Sequence, residues 1–218
     1  FRPSLSTSSL KEFIDSLLAY NFPLSTDTCV IPFGVYSLAM DRLEHCFSSI
    51  RRKYYRDLDV ILFDHLHADH FCMYLWFLSN TCSMHYGLIH EAICLSLLNK
   101  RLHGIDMFHS IPLPDIFYVV HPLGTVLGKA KYSDYFVCYQ GCSIGDDAKT
   151  GYPEFLGPVI CYSNVSILGK CRIGADVVFA ANSAILNCNV PPNSLLSGLY
   201  PNNLTRESKI TVIERAFN

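Results

Sequence analysis

The sequence predicts an α+β protein in which an N-terminal α-helical cap is followed by a parallel β-helix of hexapeptide repeats. Three observations carry this. From Phe155 to Val190 the chain divides into sixes, FLGPVI, CYSNVS, ILGKCR, IGADVV, FAANSA and ILNCNV, which put Phe155, Cys161, Ile167, Ile173, Phe179 and Ile185 in one phase. Val159, Val165, Cys171 and Val177 recur at the fifth place, and Gly157, Gly169, Gly174, Ala180 and Ala181 stand where a chain would bend. The first hundred residues instead space their apolar side chains as helices do.

A period of six fits neither the helical repeat of about 3.6 nor the strict alternation of a strand. It fits a solenoid in which each hexamer forms one side of a coil and its first residue points to the axis. An ordinary β-sandwich with frequent turns is the competing reading, and six consecutive registers weigh against it. Counting back in sixes from Tyr139 gives Ser133, Leu127 and His121, with Val137 and Thr125 at fifth places. Between Ile144 and Phe155 the segment GDDAKTGYPE breaks the count and is expected to project as a loop, a favoured place for function.

The cap is expected to hold a helix over residues 7–20 behind a Ser-rich N-cap, with Leu10, Phe13, Ile14, Leu17 and Leu18 on one face. Pro23 and STDT interrupt it. A second helix is expected from about Val35 to Tyr55, with Arg51, Arg52 and Lys53 favouring its C-terminal end. Two more are expected near 66–79 and 84–100. Pro112 and Pro114 exclude a helix after Leu102, and IFYVV reads as a strand that opens the solenoid. PPNSLLSG closes it, with a short helix expected near Thr205–Ala216. The resulting division is a cap and oligomerisation domain over 1–104, a β-helix over 105–198 and a tail over 199–218.

At 218 residues, with half of them hydrophobic, 17% charged and a formal net charge of -2, the chain can bury a sizeable core and shows no basic stripe for nucleic acid. The ten cysteines lack CxxC pairing, and two of them, Cys161 and Cys171, fall at repeat core positions. A reduced, cytoplasmic protein is expected. The longest apolar run, Phe71–Leu78, is too short for a membrane span. The absence of an initiator Met suggests an incomplete N-terminus.

Two constellations could carry chemistry. Asp64-His65-Leu66-His67-Ala68-Asp69-His70, behind the strand-like VILF, looks like the zinc motif of the metallo-β-lactamases. That family has a glycine pair after its last His and further ligands on an αββα sandwich, whereas here Phe71 and Cys72 follow and the rest of the chain is a solenoid. Incidental histidines on a cap helix, with no metal, are the favoured reading. The second constellation is Asp106 with His121. They stand slightly less than one coil apart, so successive coils could set them side by side, with the carboxylate orienting the imidazole as a general base. A turn-capping Asp106 and a partly buried His121 form the plainer alternative.

From about Phe63 to Gly198 the chain resembles the serine acetyltransferases, the helix-capped branch of the left-handed β-helix acyltransferases. The resemblance rests on HPLGTVLG (His121–Gly128), on Asp106 upstream, on YQGCSIG (Tyr139–Gly145), on VSILGKCRIG (Val165–Gly174) and on VPPNSLLSG. It implies a left-handed coil, homotrimers or dimers of trimers, and acetyl-CoA lying in a groove between solenoids on backbone groups of Ser163 and Ala181. It also implies His121 as general base for a small-molecule hydroxyl acceptor, Asp106 orienting it, and Lys149 as the counterpart of a cofactor-loop lysine.

The chain departs from that pattern at the acceptor side. Val120 replaces the family's Asp before the catalytic His, and Tyr152-Pro153 replaces a substrate-contacting His-Pro. The acceptor is therefore open between serine and a hydroxyl on a sugar or glycan precursor, for which Tyr152 and Tyr162 could form an aromatic wall. A non-catalytic trimeric scaffold is a further alternative. The family often ends in Ile and docks its tail into the next enzyme of cysteine synthesis; an ending in Ala216-Phe217-Asn218 argues against that partnership.

Overall fold

The structure, a computed structural model, describes residues 1–23 and 30–217; the expected STDT break and Cys29 lie outside them. In the cap, β1 (Arg2–Pro3) precedes α1 (Thr7–Asn21), whose N-cap Ser6 accepts the Ser9 N–H at 3.1 Å. Next come α2 (Phe33–Ser48), β2 (Arg56–Asp57), β3 (Val60–Phe63), α3 (Ala68–Tyr86) and α4 (Ile89–His103). β3 pairs in parallel with β1 and antiparallel with β2. α3 is buried continuously from Asp69 to Cys82, the mark of a helix enclosed on all sides. α2 stops at Ser48 rather than continuing to Tyr55. The Arg56 guanidinium takes the carbonyls of Ser48 and Ile50, while the Arg51 N–H turns away to Phe217 O at 2.9 Å.

α4 ends on Gly104 in the left-handed conformation, φ +63°. The solenoid then stacks three strand columns. One face holds β4 (Phe117–Val120), β6 (Phe136–Tyr139), β9 (Val159–Cys161), β12 (Val177–Phe179) and β14 (Ser194–Ser197). A second holds β5 (Val126–Leu127), β7 (Ser143–Gly145), β10 (Ser166–Leu168) and β13 (Ala184–Leu186). The third pairs β8 (Glu154–Phe155) with β11 (Arg172–Ile173). All neighbours within these columns run parallel. Every residue of the Phe155–Ile185 phase is buried, as are the four at fifth places.

The backward count slips. β6 sets Cys138, not Tyr139, opposite Cys161, and β4 sets Val119 opposite Cys138. Leu127 keeps its axial place, paired with Ile144, whereas Tyr139 is half-buried and His121 is exposed. The first corner, between the first and second faces, explains the slip. Five residues carry Cys138 to Ser143, Cys161 to Ser166 and Phe179 to Ala184, but seven carry Val119 to Val126. The earliest coil thus has two extra residues at the corner that bears His121.

Both ends of the solenoid are covered. The cap packs Trp76 edge-on against Phe117 with centroids 5.3 Å apart, and Cys46 Sγ donates to Phe117 O. At the far end β15 (Leu204–Glu207) pairs antiparallel with β14, where a helix was expected. Only Ile213–Phe217 forms a helical turn, of π type. Such pairing covers the edge of β14 with a short strand.

Candidate active site at the first corner

His121 follows β4 directly and adopts φ +49°, a left-handed conformation uncommon for a residue with a side chain. Its imidazole faces solvent. Its backbone N–H donates to Asp69 Oδ1 at 3.1 Å. Asp69 lies in the first turn of α3 and is only 7% exposed. Burial pushes its carboxyl up from the ordinary value, against the lowering influence of His67 and of the His121 N–H.

The same corner carries Ser163 and Ala181 in later coils, so one edge of the solenoid presents all three. Asn164 and Asn182 turn that edge with φ of +60° and +61° and are linked by a side-chain hydrogen bond of 3.1 Å. Gly141 stands in the same column because a Cβ there would fall 2.1 Å from Asn164 Oδ1. The Ser163 carbonyl accepts from Asn182 N–H at 2.8 Å, while among the described residues neither the N–H nor the C=O of Ala181 is used by the coil. Ala181 is exposed and leaves a backbone donor and acceptor for a ligand lying along the edge.

Asp106 lies under the second face, bridging Val126 in parallel, and its Oδ2 is 2.6 Å from Lys100 Nζ. No hydrogen bond or ion pair joins it to His121. Val120, the last residue of β4, is half-buried.

Lys149 and Tyr152 occupy the second corner, on the loop between β7 and β8. This loop is tied down rather than projecting freely. Asp147 Oδ1 accepts from the N–H groups of Lys149 (3.1 Å) and Thr150 (2.7 Å), and Asp147 Oδ2 accepts from Asn187 Nδ2 at 2.7 Å. The Asn187 amide, followed by the Thr150 N–H, holds the Asp147 carboxyl well below the usual carboxylate range. Tyr152 lines a cleft of about 250 Å³ with Lys131, Lys170 and Arg172, and another of about 430 Å³ with Lys129 and Ser110. Lys129 Nζ sits 4.8 Å from the centre of its ring. Tyr162 does not join it in a wall: its ring packs on Tyr139, 5.0 Å away.

Comparison with known proteins identifies the fold. A solved serine acetyltransferase from Vibrio cholerae superposes with a TM-score of 0.67 over 85% of this chain and 76% of that one, at 16% identity. A serine acetyltransferase from Brucella abortus in complex with coenzyme A superposes with a TM-score of 0.62 over 96% and 78%, at 17% identity. The chain has the serine acetyltransferase fold. Its helices therefore cap a left-handed β-helix, which departs from the usual right-handed crossover. In sequence, the serine acetyltransferase of Staphylococcus xylosus is 27% identical over 109 residues, 48% of this chain and half the length of that relative. No family model matches the sequence.

Within this serine acetyltransferase fold the histidine-rich motif is dispersed. His65 Nδ1 lies 2.8 Å from Ser4 Oγ, His70 Nδ1 accepts from the Asp64 N–H at 3.2 Å, and His67 stacks on His70 with centroids 4.2 Å apart. Among the described residues, no group of three or more His, Cys, Asp or Glu side chains is arranged to hold a metal ion. No helix among them is long and apolar enough to cross a membrane. The residue that sequence reasoning missed is Asp69 as a partner of His121. Its only local signal is an acidic side chain in the first turn of a helix.

Proposed function

We propose that the chain is an acetyl-CoA-dependent O-acetyltransferase of the serine acetyltransferase type. The observation that carries this reading is the exposed imidazole of His121 on the same solenoid edge as Ser163 and Ala181; the sequence match to a serine acetyltransferase supports it. Acetyl-CoA, as co-substrate, supplies the activated acetyl thioester. Its pantetheine arm would run along the first corner and bond to the backbone of Ala181 and Ser163.

His121 takes the proton from the acceptor hydroxyl as that oxygen attacks the thioester carbonyl, and returns it to the departing thiolate. In this reading Asp106 is the carboxylate that orients the imidazole, which requires it to leave the ion pair it makes with Lys100. Backbone N–H groups of the corner serve the oxyanion. Lys149 offers a cation to the phosphates of the cofactor.

Lys149 and Tyr152 stand at a different corner from His121. A groove between neighbouring copies, in a homotrimer or a dimer of trimers, would bring the two corners together. The division into residues 1–104, 105–198 and 199–218 belongs to the same proposal, with the cap as the element of assembly. So does a cytoplasmic setting, expected for ten cysteines scattered without CxxC pairing.

For the acceptor, serine competes with a sugar hydroxyl. Tyr152 favours the sugar, since an aromatic ring beside Lys129 lines two clefts where the family has a second imidazole. Val120 offers no charge to a free amino acid.

The test is thiol release from acetyl-CoA with serine and a panel of sugars and nucleotide sugars. His121→Ala is expected to lower kcat by about 10²–10⁴-fold with any accepted substrate. Turnover with serine assigns the ordinary family acceptor, and turnover with a sugar alone assigns glycan modification. Absence of turnover together with absence of acetyl-CoA binding would overturn the enzyme reading and leave the scaffold.

A further inference from the structure

Gly124 N–H at the His121 corner reaches Gly104 O at 2.9 Å, so that corner keeps, with His121 added outside it, the hydrogen-bond ladder of the later coils. There, corner N–H groups find carbonyls of adjacent coils: Asn164 N–H reaches Gln140 O at 2.9 Å, and Asn182 N–H reaches Ser163 O at 2.8 Å. The two-residue insertion puts His121 out of step with this ladder. A left-handed φ of +49° then turns its N–H toward the cap, where Asp69 Oδ1 receives it. Donor and acceptor are 52 residues apart in sequence.

This use of Asp69 is selective. Among the described residues, the buried polar atoms Tyr55 Oη, His67 Nδ1 and His70 Nε2 have no hydrogen-bond partner. The His67 and Tyr55 side chains feel the Asp69 charge. Even so, the carboxylate serves the backbone of His121. A buried acceptor on a rigid helix is well suited to hold an inserted corner in one conformation.

We propose that Asp69 is a positioning residue for His121, fixing the inserted corner through the backbone N–H so that the imidazole is presented at one place on the solenoid edge. It acts from the helical cap and supplies rigidity that the stacked coils cannot give at this point. The histidine-rich segment thereby acquires a role that involves no metal. The proposal rests on His121 being the base; its first readout is independent of that.

The experiment uses the full chain labelled with ¹⁵N-histidine, as wild type, Asp69→Ala and Asp69→Asn. Asparagine keeps an oxygen that can accept the same N–H, whereas alanine does not. The His121 amide signal is expected to stay near its wild-type position in D69N and to move upfield, with faster exchange, in D69A. In the thiol-release assay D69A is expected to lose roughly 10–100-fold in kcat at unchanged KM for acetyl-CoA, because a misplaced base is costly. D69N should recover to within about threefold of wild type. An unmoved His121 amide in D69A overturns the proposal, as does equal impairment of the two variants. If the wild type has no activity, the functional reading fails while the amide signal still decides the part played by Asp69.

Discussion

His70 and His103 are buried within the cap, and burial is the first cause of both their shifts: His70 is pushed down to about 3 and His103 to about 4. The Asp64 charge opposes the shift at His70, and the Asn99 hydrogen bond opposes it at His103. Unfolded histidine titrates near 6.5, so below that pH the unfolded chain binds protons that the folded chain refuses. The associated stability is therefore fully present above about pH 6.5 and drains as pH falls toward 4 and then 3. Urea midpoints should hold steady from pH 8 to 7 and decline below 6.5, and His103→Gln should flatten part of the decline. A midpoint that rises on acidification would contradict this assignment. Neither burial was visible from the residues themselves, since a histidine in an apolar run looks the same whether a neighbouring helix covers it or not.

At the level of the repeat, the axial positions from Phe155 onward were legible because a hydrophobic period reports directly which side of each coil faces inward. The slip before Tyr139 was not legible, because Tyr, Ser and His at its supposed places give no strong apolar signal and interstrand pairing decides the register. Close coil stacking adds a constraint that glycine alone meets. A Cβ on Gly157 would lie 2.5 Å from the Cβ of Ala175 in the next coil and 2.9 Å from its Cα. Gly157→Ala should lower unfolding free energy by about 1–3 kcal/mol. Adding Ala175→Gly should recover part of the loss, and equilibrium denaturation of the double-mutant cycle measures the coupling. Strictly additive effects would show that the two coils accommodate the methyl elsewhere.

Across the whole molecule the C-terminal segment works as a staple. It leaves the last coil where Ser208 N–H meets Asn193 O, passes Asp176, which accepts the Val212 N–H at 2.9 Å, and ends where the cap meets the first coils. There Arg52 Nε donates to Ala216 O, Tyr118 Oη donates to the same carbonyl at 2.8 Å, and Phe217 packs edge-on against Tyr118 and Tyr135, each 5.1 Å away. Phe217 is 1% exposed. Phe217→Ala should cost about 3–5 kcal/mol, within the range for a buried aromatic. It should also speed exchange of the Arg51 amide, which that residue's carbonyl holds. Unchanged exchange would mean that the segment is not a staple. The expectation of basic residues closing α2 failed for the same reason: Arg51 and Arg52 serve a partner more than 160 residues away.

The sequence by itself determined the solenoid and the helical cap, and it singled out His121 as the candidate base through a family resemblance, because backbone periodicity and residue type are local properties. Only the tertiary structure decided that His121 stands on an inserted corner, that Asp69 holds it, that Asp106 faces Lys100, and that Lys149 and Tyr152 lie on another edge. Those outcomes depend on which distant groups satisfy a buried or strained backbone, and such pairings leave no period in the chain.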